Sequence, residues 1–443
     1  MTTMNRREAL ALLLSAPVVS HPTFAGAHPA FAGGRPAFAD APGANARAQT
    51  RATAKHRVVL NSAHGLLIAP DGSVHVWHRG GFNGVEAILG LGPQGALPPQ
   101  TLATVPALTG IVAAAAGVAC SFAVRADGTL LTWGVNSGNG KLGTTSLAFF
   151  QERASWGPNA NAPVPLAVPF DAVDVSTMND HVLALTRDGR VYAWGTGDKG
   201  QLGIGPMPVI TFRYESPSAY PYTPFPIEIA GLSGVTAISA GYAHSLAVME
   251  DGTVRAWGEN RWGEVGDGTT SMRHGPVVVP GVKGAVGVAA GQGFSAAVLG
   301  DGTVMTWGNR IHGALGRAHA TDNRADPVPA LVPGVTSIRT IVAGHSHVLA
   351  LTAAGTVISW GMPDFGQLGR AGASNAAPGA IPGLAGVQSI AAHNDTSMAV
   401  LASGRIMTWG GHLRPWTRPP EEGSYDNISH RPILLWLDGL DQP

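Results

Sequence analysis

The residues that could bind a metal recur at one position of a repeated segment rich in small residues. In chain order, that position is occupied by His64, Cys120, His181, His244, Phe294, His347 and Thr396. Imidazole and thiolate are zinc ligands, but they must converge within about 2.0–2.3 Å of one ion. Side chains distributed around a wide axis do not converge in this way. We therefore predict no metal site, and structural histidines that are hydrogen-bonded within their own repeat.

A second apparent motif, Gly195-x-Gly197-x-x-Gly200, matches the dinucleotide-binding fingerprint. It continues into another turn, Gln201-Leu202-Gly203, so no helix N-terminus would be available for a pyrophosphate. The chain also contains no Walker loop, His-Glu-x-x-His motif, Gly-x-Ser-x-Gly elbow or distinctive carboxylate pair. These observations predict a non-catalytic protein without a cofactor.

Tryptophan positions reveal the organisation of the chain, because seven of the eleven close the same pattern of a turn pair, four residues and Trp. The copies run from Asp71 to Trp77, Asp127 to Trp133, Asp188 to Trp194, Asp251 to Trp257, Asp301 to Trp307, Ala354 to Trp360 and Ser403 to Trp409. Asp-Gly between alternating apolar runs is a strong hairpin signal. We therefore assign the five aspartates to β-hairpin turns. The seven tryptophans are interpreted as residues that pack the blades, with stacking on a ligand as the alternative.

About four short strands per repeat, including one rich in small residues, predict an all-β, seven-bladed β-propeller over residues 57–443. Small side chains suit the innermost strand, which is the most crowded. The first copy begins at Arg57 without the Pro-x-x-apolar segment that precedes the others, and a similar segment appears at Pro432. This arrangement predicts that the C-terminal strand completes the first blade and closes the ring.

The repeat resembles that of the regulator-of-chromosome-condensation (RCC1) family. The resemblance rests on the segment from Ile238 to Val248 and on the turn from Trp257 to Gly263, and it covers residues 57–443. It implies a seven-bladed propeller. The best-known member is a nuclear guanine-nucleotide exchange factor that docks on nucleosomes through a basic tail, and the family also includes exported bacterial proteins that bind β-lactamases.

The N-terminus has the pattern of an export signal. Arg6-Arg7 precedes a short apolar run, and small-x-small cleavage sites end at Ala27, Ala32 and Ala39. We interpret residues 1–39 as a twin-arginine-like signal peptide, with a general secretory signal as the alternative, and residues 40–56 as a flexible linker. The predicted location is periplasmic or extracellular, and the signal favours the exported branch of the family.

The overall composition limits the classes of partner. The chain carries 28 basic and 28 acidic residues and has a formal net charge of zero, so no overall field would attract nucleic acid. No later apolar run is long enough to span a bilayer. We therefore predict a monomer that binds neither nucleic acid nor membrane once its signal has been removed.

Three insertions, at 144–162, 204–226 and 411–431, interrupt the repeat after the Trp-Gly turn. Insertions at one repeat position lie on one face of the array, often the binding face. Tyr, Trp and Arg frequently anchor protein interfaces. The predicted partner-binding residues are Phe149, Phe150, Arg153, Trp156, Phe212, Arg213, Tyr214, Tyr220, Tyr222, Phe225, Trp416 and Tyr425. The alternative is that these aromatic side chains cover blade edges.

Together these features predict an exported, non-catalytic binding scaffold that recognises a protein partner, or alternatively a glycan, through the face bearing the inserts. Two other hypotheses remain open. One is an exchange-factor-like or host-directed effector. The other is a propeller hydrolase or lyase acting on a glycan, which would require converging acidic side chains or a metal in the central channel.

Overall fold

The structure of the protein, a computed structural model, describes residues 57–435 except 62, 79–84, 94–96, 100, 136–139, 144–159, 208–220, 318–324, 373–376 and 412–427. These residues form seven four-stranded antiparallel sheets, each built from consecutive strands. The protein is thus the predicted seven-bladed β-propeller. No helix in the described part of the chain is long and apolar enough to cross a membrane.

The strands of blades 1 to 4 are β1 Arg57–Leu60, β2 His64–Ile68, β3 Val74–His78, β4 Ala103–Thr104, β5 Ile111–Gly117, β6 Cys120–Arg125, β7 Leu130–Gly134, β8 Ala160–Pro165, β9 Ala172–Thr177, β10 His181–Thr186, β11 Val191–Thr196, β12 Tyr222–Glu228, β13 Val235–Ala240, β14 His244–Met249, β15 Val254–Gly258 and β16 Arg273–Val278. Those of blades 5 to 7 are β17 Ala285–Ala290, β18 Phe294–Leu299, β19 Val304–Asn309, β20 Ala325–Leu331, β21 Ile338–Ala343, β22 His347–Thr352, β23 Val357–Gly361, β24 Gly379–Ala380, β25 Val387–His393, β26 Thr396–Leu401, β27 Ile406–Gly410 and β28 Ser429–Leu434. A short helix, α1 (Val85–Leu89), precedes β4, and a 3₁₀ turn at Ile311–Gly313 follows β19.

The turn aspartates stabilise the hairpin between the second and third strands of five blades. In blade 4, Asp251 Oδ1 accepts hydrogen bonds from Thr253 N at 2.8 Å and Thr253 Oγ1 at 2.7 Å, and Gly252 has a φ of 76°. These hydrogen bonds hold the pKa of Asp251 below its usual value. The predicted assignment of these aspartates to hairpins is confirmed.

Each hairpin tryptophan packs against the preceding blade, and all seven are fully buried. In blade 5, for example, Trp307 lies in a cluster with Leu246, Val248 and Val265 of blade 4, and its Nε1 donates to the Glu264 carbonyl at 2.9 Å. A fully buried large side chain contributes about 1.5–3 kcal/mol relative to an exposed one. The predicted role in blade packing is confirmed, and the structure adds that the tryptophans hold successive blades together.

The predicted mode of ring closure is wrong. Strand β28 pairs with β27 of blade 7, with Leu434 opposite Met407, while the outer strand of blade 1 is β4, which pairs with β3. The error lies in where one repeat ends and the next begins, which we call the phase of the repeat. Each Pro-x-x-apolar segment is the last strand of the preceding blade and not the first strand of the next, so blade 1 lacks no strand. The ring closes by side-chain packing of blade 1 on blade 7, including Val58, Trp77 and Leu435.

The first strands of the seven blades surround a central channel of about 240 Å³, and small residues such as those at 114–116 and 289–290 line it, as predicted. The described lining contains Val, Ala, Ile, Leu, Ser, Thr, Met and His, without Asp or Glu. His393 of blade 7 reaches across the channel to the Met178 carbonyl of blade 3, at 3.4 Å. The described lining of the channel is therefore uncharged and mostly aliphatic, with the His393 imidazole crossing it.

Candidate functional site

The two faces of the ring are defined by the strand connections. Because the strands of each blade are antiparallel, the Asp-Gly hairpins lie at one face, and the loops joining first to second and third to fourth strands lie at the other. We call these the hairpin face and the insert face, since the three insertions lie in connections of the latter kind. Any surface shared by successive blades on the insert face is therefore built from these first and third loops.

The insert face carries a groove of about 340 Å³ over blades 4 to 7. Its inner side is formed by corresponding residues of successive first loops, Tyr242, Gln292 and His345. Its outer side is formed by residues at one position of successive third loops, Trp262, His312 and Phe365, each followed by glycine. The groove therefore runs along an arc across neighbouring blades.

Backbone hydrogen bonds between blades fix the inner side of the groove. Tyr242 N donates to the Gly291 carbonyl at 3.2 Å, Gln292 N to the His345 carbonyl at 3.2 Å, and His345 N to the Asn394 carbonyl at 2.9 Å. The Tyr242 and His345 rings meet edge to face with centroids 6.4 Å apart. This side of the groove is organised before any partner binds, which lowers the entropy cost of binding.

On the outer side, the Arg261 guanidinium lies over the Trp262 ring, 5.3 Å from its centroid, and Arg261 Nε is 3.5 Å from Glu259 Oε1. The Trp262 ring reaches this position because the neighbouring loop has Gly293, where a Cβ would be 2.9 Å from Trp262 Cδ1. At the far end, Phe365 and Asp395 both border Gly411, whose Cβ would lie 3.1 and 3.5 Å from their Cβ atoms.

The groove lining combines aromatic rings with polar and charged side chains. Tyr242 and Phe365 are 42% and 37% exposed, values that are high for large hydrophobic residues of this protein. Burial lowers the pKa of His345, although the nearby Asp395 carboxylate opposes the shift. Aromatic residues, Met and Arg are enriched at protein interfaces. The composition and rigidity of the groove therefore suit the binding of another macromolecule.

Ten of the twelve predicted partner-binding residues lie outside the described residues: Phe149, Phe150, Arg153, Trp156, Phe212, Arg213, Tyr214, Tyr220, Trp416 and Tyr425. The other two, Tyr222 and Phe225, are partly buried on β12, the outer strand of blade 3, and do not line the groove. The last residues of each predicted insertion belong to β8, β12 and β28. For the ten, a binding role stays a prediction.

The groove residues were missed because they occupy regular repeat positions. Trp262, His312 and Phe365 correspond to Lys199 of blade 3. Because this turn was interpreted as a regular feature of every repeat, the change from a charged to an aromatic side chain was overlooked. Comparison of this one position across the blades would have found them. The Gly195–Gly200 motif, by contrast, is a turn that continues into the turn at Gln201, as predicted.

The four repeat histidines are fully buried between blades, and their hydrogen bonds were predicted incorrectly. His181 Nε2 lies 2.9 Å from Ser245 Oγ of the next blade, and Ser245 Oγ donates to the Gln201 carbonyl at 2.9 Å. Since that hydroxyl proton is used, His181 Nε2 carries a proton and donates it to Ser245. The histidines therefore join neighbouring blades instead of bonding within their own.

The chain as a whole matches one family model closely enough to decide its membership. The model of the RCC1-like domain matches residues 81–414, which is more than half of the chain. The chain belongs to the RCC1-like domain family. The sequence resemblance is thus confirmed by a match that includes all the described residues of the groove.

Other comparisons place this RCC1-like propeller among known proteins. It is 31% identical to Protein pim1 of Schizosaccharomyces pombe over 217 residues, which are 48% of this chain and 38% of that protein. The structure of human WBSCR16 superposes with a TM-score of 0.65 at 23% identity, covering 83% of this chain and 95% of that one. For Prp20p of Saccharomyces cerevisiae, the TM-score is 0.62 at 21% identity, covering 80% and 83%.

In this RCC1-like propeller, each repeat histidine contacts a serine of the next blade, and we call this contact a histidine joint. These joints explain the irregular members of the repeat position. His64, His244 and His347 contact Ser121, Ser295 and Ser397 of the following blades at 2.6, 2.9 and 2.8 Å. Where Cys120, Phe294 or Thr396 replaces histidine, the next blade has Val182, Val348 or Gly65 in place of serine. The two positions therefore change together, as partners across each joint.

Burial sets the protonation state of these histidines. Desolvation lowers the pKa of His64, His244 and His347 to about 3 and that of His181 to about 4. At neutral pH the four imidazoles are uncharged. Those of His181, His244 and His347 donate to serines whose hydroxyl groups donate to backbone carbonyls. Within the described residues, no group of three or more His, Cys, Asp or Glu side chains could hold a metal ion.

One buried carboxylate lies beneath the groove loops. Glu264 Oε2 accepts from Trp262 N at 2.7 Å, while Oε1 has no hydrogen-bond partner, and burial raises the Glu264 pKa to about 7. Its counterparts in blades 3 and 6 are Gln201 and Gln367, whose amides donate to Asp198 and Asp395. At Glu264 a buried carboxylate thus occupies the position that an amide side chain holds in blades 3 and 6.

Proposed function

We propose that this RCC1-like propeller is an exported, non-catalytic scaffold that binds a protein partner through its insert face. The observation that carries the proposal is the preorganised aromatic groove on that face, lined by Tyr242, Trp262 and Phe365. Protein binding is the function that the family supports at a coarse level. Export is proposed from the signal-like residues 1–39, and the insertions would extend the same surface.

A related structure offers support of a general kind. Prp20p binds Gsp1p and histones, so a propeller of similar fold serves as a protein-binding platform in that case. At 21% identity the likeness concerns the fold, and the present chain is neutral overall. We therefore propose neither a GTPase nor a histone as the partner here.

The test is affinity capture with three versions of the purified protein as bait. The first is the unaltered chain, the second carries Tyr242→Ala, Trp262→Ala and Phe365→Ala, and the third is a control with Val278→Ser and Leu331→Ser. Val278 and Leu331 are 50% and 54% exposed on outer strands, away from the groove, so the control removes comparable apolar surface. All three should melt cooperatively.

We expect a partner that the unaltered chain and the control recover equally and that the groove variant loses by at least ten-fold. Recovery of the same proteins by all three baits would refute the assignment of the site. N-terminal sequencing of the protein recovered from outside the cell should begin after Ala27, Ala32 or Ala39. An intact Met1 in that fraction would contradict removal of a signal.

A further inference from the structure

The groove already holds a cation of its own. The Arg261 guanidinium lies over the face of Trp262 and pairs with the Glu259 carboxylate. An indole face with an adjacent carboxylate can bind a cation, because the ring quadrupole and the carboxylate both attract positive charge. The side chain of Arg261 is 66% exposed, so its place on the ring can be vacated at small cost.

A second aromatic ring and a second carboxylate lie farther along the arc. Phe365 and Asp395 flank Gly411, while Tyr242 and His345 contact each other on the inner side of the groove. The groove lining thus includes two carboxylates, Glu259 and Asp395, and one guanidinium, Arg261. The charge of the groove complements a basic ligand better than an acidic one.

The groove spans several neighbouring blades, and this favours an extended ligand. Its residues come from equivalent loops of blades 4, 5 and 6 and from Asp395 of blade 7, so a bound chain would follow the arc with side chains directed at successive blades. The polar side chains of Gln292, Asn309 and Ser346 line the same groove and can hydrogen-bond a backbone. An extended peptide satisfies this spacing of aromatic, acidic and amide groups.

We infer that the groove binds an extended segment of a protein partner through a basic side chain, arginine in the first place, seated on the Trp262 ring beside Glu259. This inference rests on the proposed function and adds the chemistry of the partner. In the bound state the partner's guanidinium replaces that of Arg261. The aromatic and carboxylate pair at Phe365 and Asp395 receives a second basic or apolar side chain.

Arg261 gives the inference a distinctive consequence. If Arg261 occupies this cation site in the free protein, Arg261→Ala frees Trp262 and Glu259, and affinity for a basic ligand rises by about two- to five-fold. If Arg261 were instead an anchor that contacts an acidic partner, the same substitution would weaken binding. Glu259→Gln should weaken binding of a basic ligand, and Glu250→Gln, on the hairpin face, serves as the matched control.

The experiment is selection of a random twelve-residue peptide library, displayed on phage, against the full chain, with counter-selection against Trp262→Ala. We expect selected peptides to be enriched in Arg or Lys, and Arg→citrulline in a synthetic copy to lower affinity at least ten-fold. Affinity should increase with Arg261→Ala, fall with Glu259→Gln, stay unchanged with Glu250→Gln and decrease with added salt.

Groove-dependent peptides without basic residues, or weaker binding by Arg261→Ala, would overturn the inference while leaving the proposed function intact. Failure to recover any peptide that depends on Trp262 would count against both. Self-association of the chain that Trp262→Ala abolishes would identify a second copy as the occupant and would likewise overturn the assignment to a different partner.

Discussion

The histidine joints predict a particular dependence of stability on pH, which can be tested at the joint between blades 6 and 7. His347 Nε2 lies 2.8 Å from Ser397 Oγ, which donates to the Gln367 carbonyl at 2.9 Å. The joint between blades 5 and 6 uses Phe294 and Val348 at the same positions. The double variant His347→Phe with Ser397→Val therefore converts one natural joint into another.

The magnitude follows from burial. His347 has a pKa of about 3 in the folded protein against 6.5 for the exposed side chain. The unfolded chain therefore binds more protons than the folded one below pH 6.5. The stability associated with neutral His347 is complete above pH 6.5 and decreases as the pH falls toward about 3. At pH 5 the loss is about 2 kcal/mol for this one histidine.

The assay is urea unfolding of four proteins at pH 8 and pH 5: the unaltered chain, each single variant and the double variant. Ser397→Val alone should cost about 1–3 kcal/mol at pH 8, because it leaves the buried His347 Nε2 without an acceptor. The double variant should recover part of this cost, with a coupling of about 0.5–3 kcal/mol. It should also lose about 2 kcal/mol less than the unaltered chain between pH 8 and pH 5.

Two results would refute this reasoning. Additive effects of the single variants would mean that His347 and Ser397 do not act as a pair. An unchanged difference between pH 8 and pH 5 in the double variant would mean that His347 is not held neutral by burial. Since Gly344 leaves room for His347 as Gly291 does for Phe294, the phenylalanine should fit without displacing the backbone.

Two further predictions concern the other irregular positions. Glu264→Gln should stabilise the protein by about 2–3 kcal/mol above pH 7 and little at pH 4.5, because the raised pKa of Glu264 makes its ionisation in the folded state unfavourable. Urea unfolding at both pH values measures this difference. An equal gain in stability at pH 4.5 would contradict the prediction. Gly65→Ser should destabilise the ring by about 1–3 kcal/mol, because its Cβ would overlap the Trp77 ring. Thermal melting measures this, and an unchanged Tm would show that Trp77 can move.

The sequence was sufficient to predict the number of blades and the places of the turn aspartates and tryptophans, because each follows from a local pattern repeated seven times. The phase of the repeat was not determined in the same way. A Pro-x-x-apolar strand such as β16 lies between two small-residue strands, and its sequence does not specify whether it pairs with β15 before it or with the blade after it. Only the pairing of Val277 with Ala256 resolves this.

The site was harder to predict for a related reason. The seven-fold pattern explains His181 and Trp262 equally well as repeat residues, yet one is buried at a joint and the other lies in an open groove. What distinguishes them is the neighbouring blade: Ser245 receives the histidine, whereas Gly293 makes space for the indole. Such contacts join residues far apart in sequence, so inspection of a single repeat does not reveal them.

The closure of the ring has a consequence for how the chain can be rearranged. Because no strand is exchanged, the joint between blades 7 and 1 is held by side-chain packing without a backbone connection, and Val58 and Leu435 meet within one cluster there. A circular permutant that links this joint and begins at another should keep the same ring. Since every blade consists of four consecutive strands, such a permutant would leave each sheet intact.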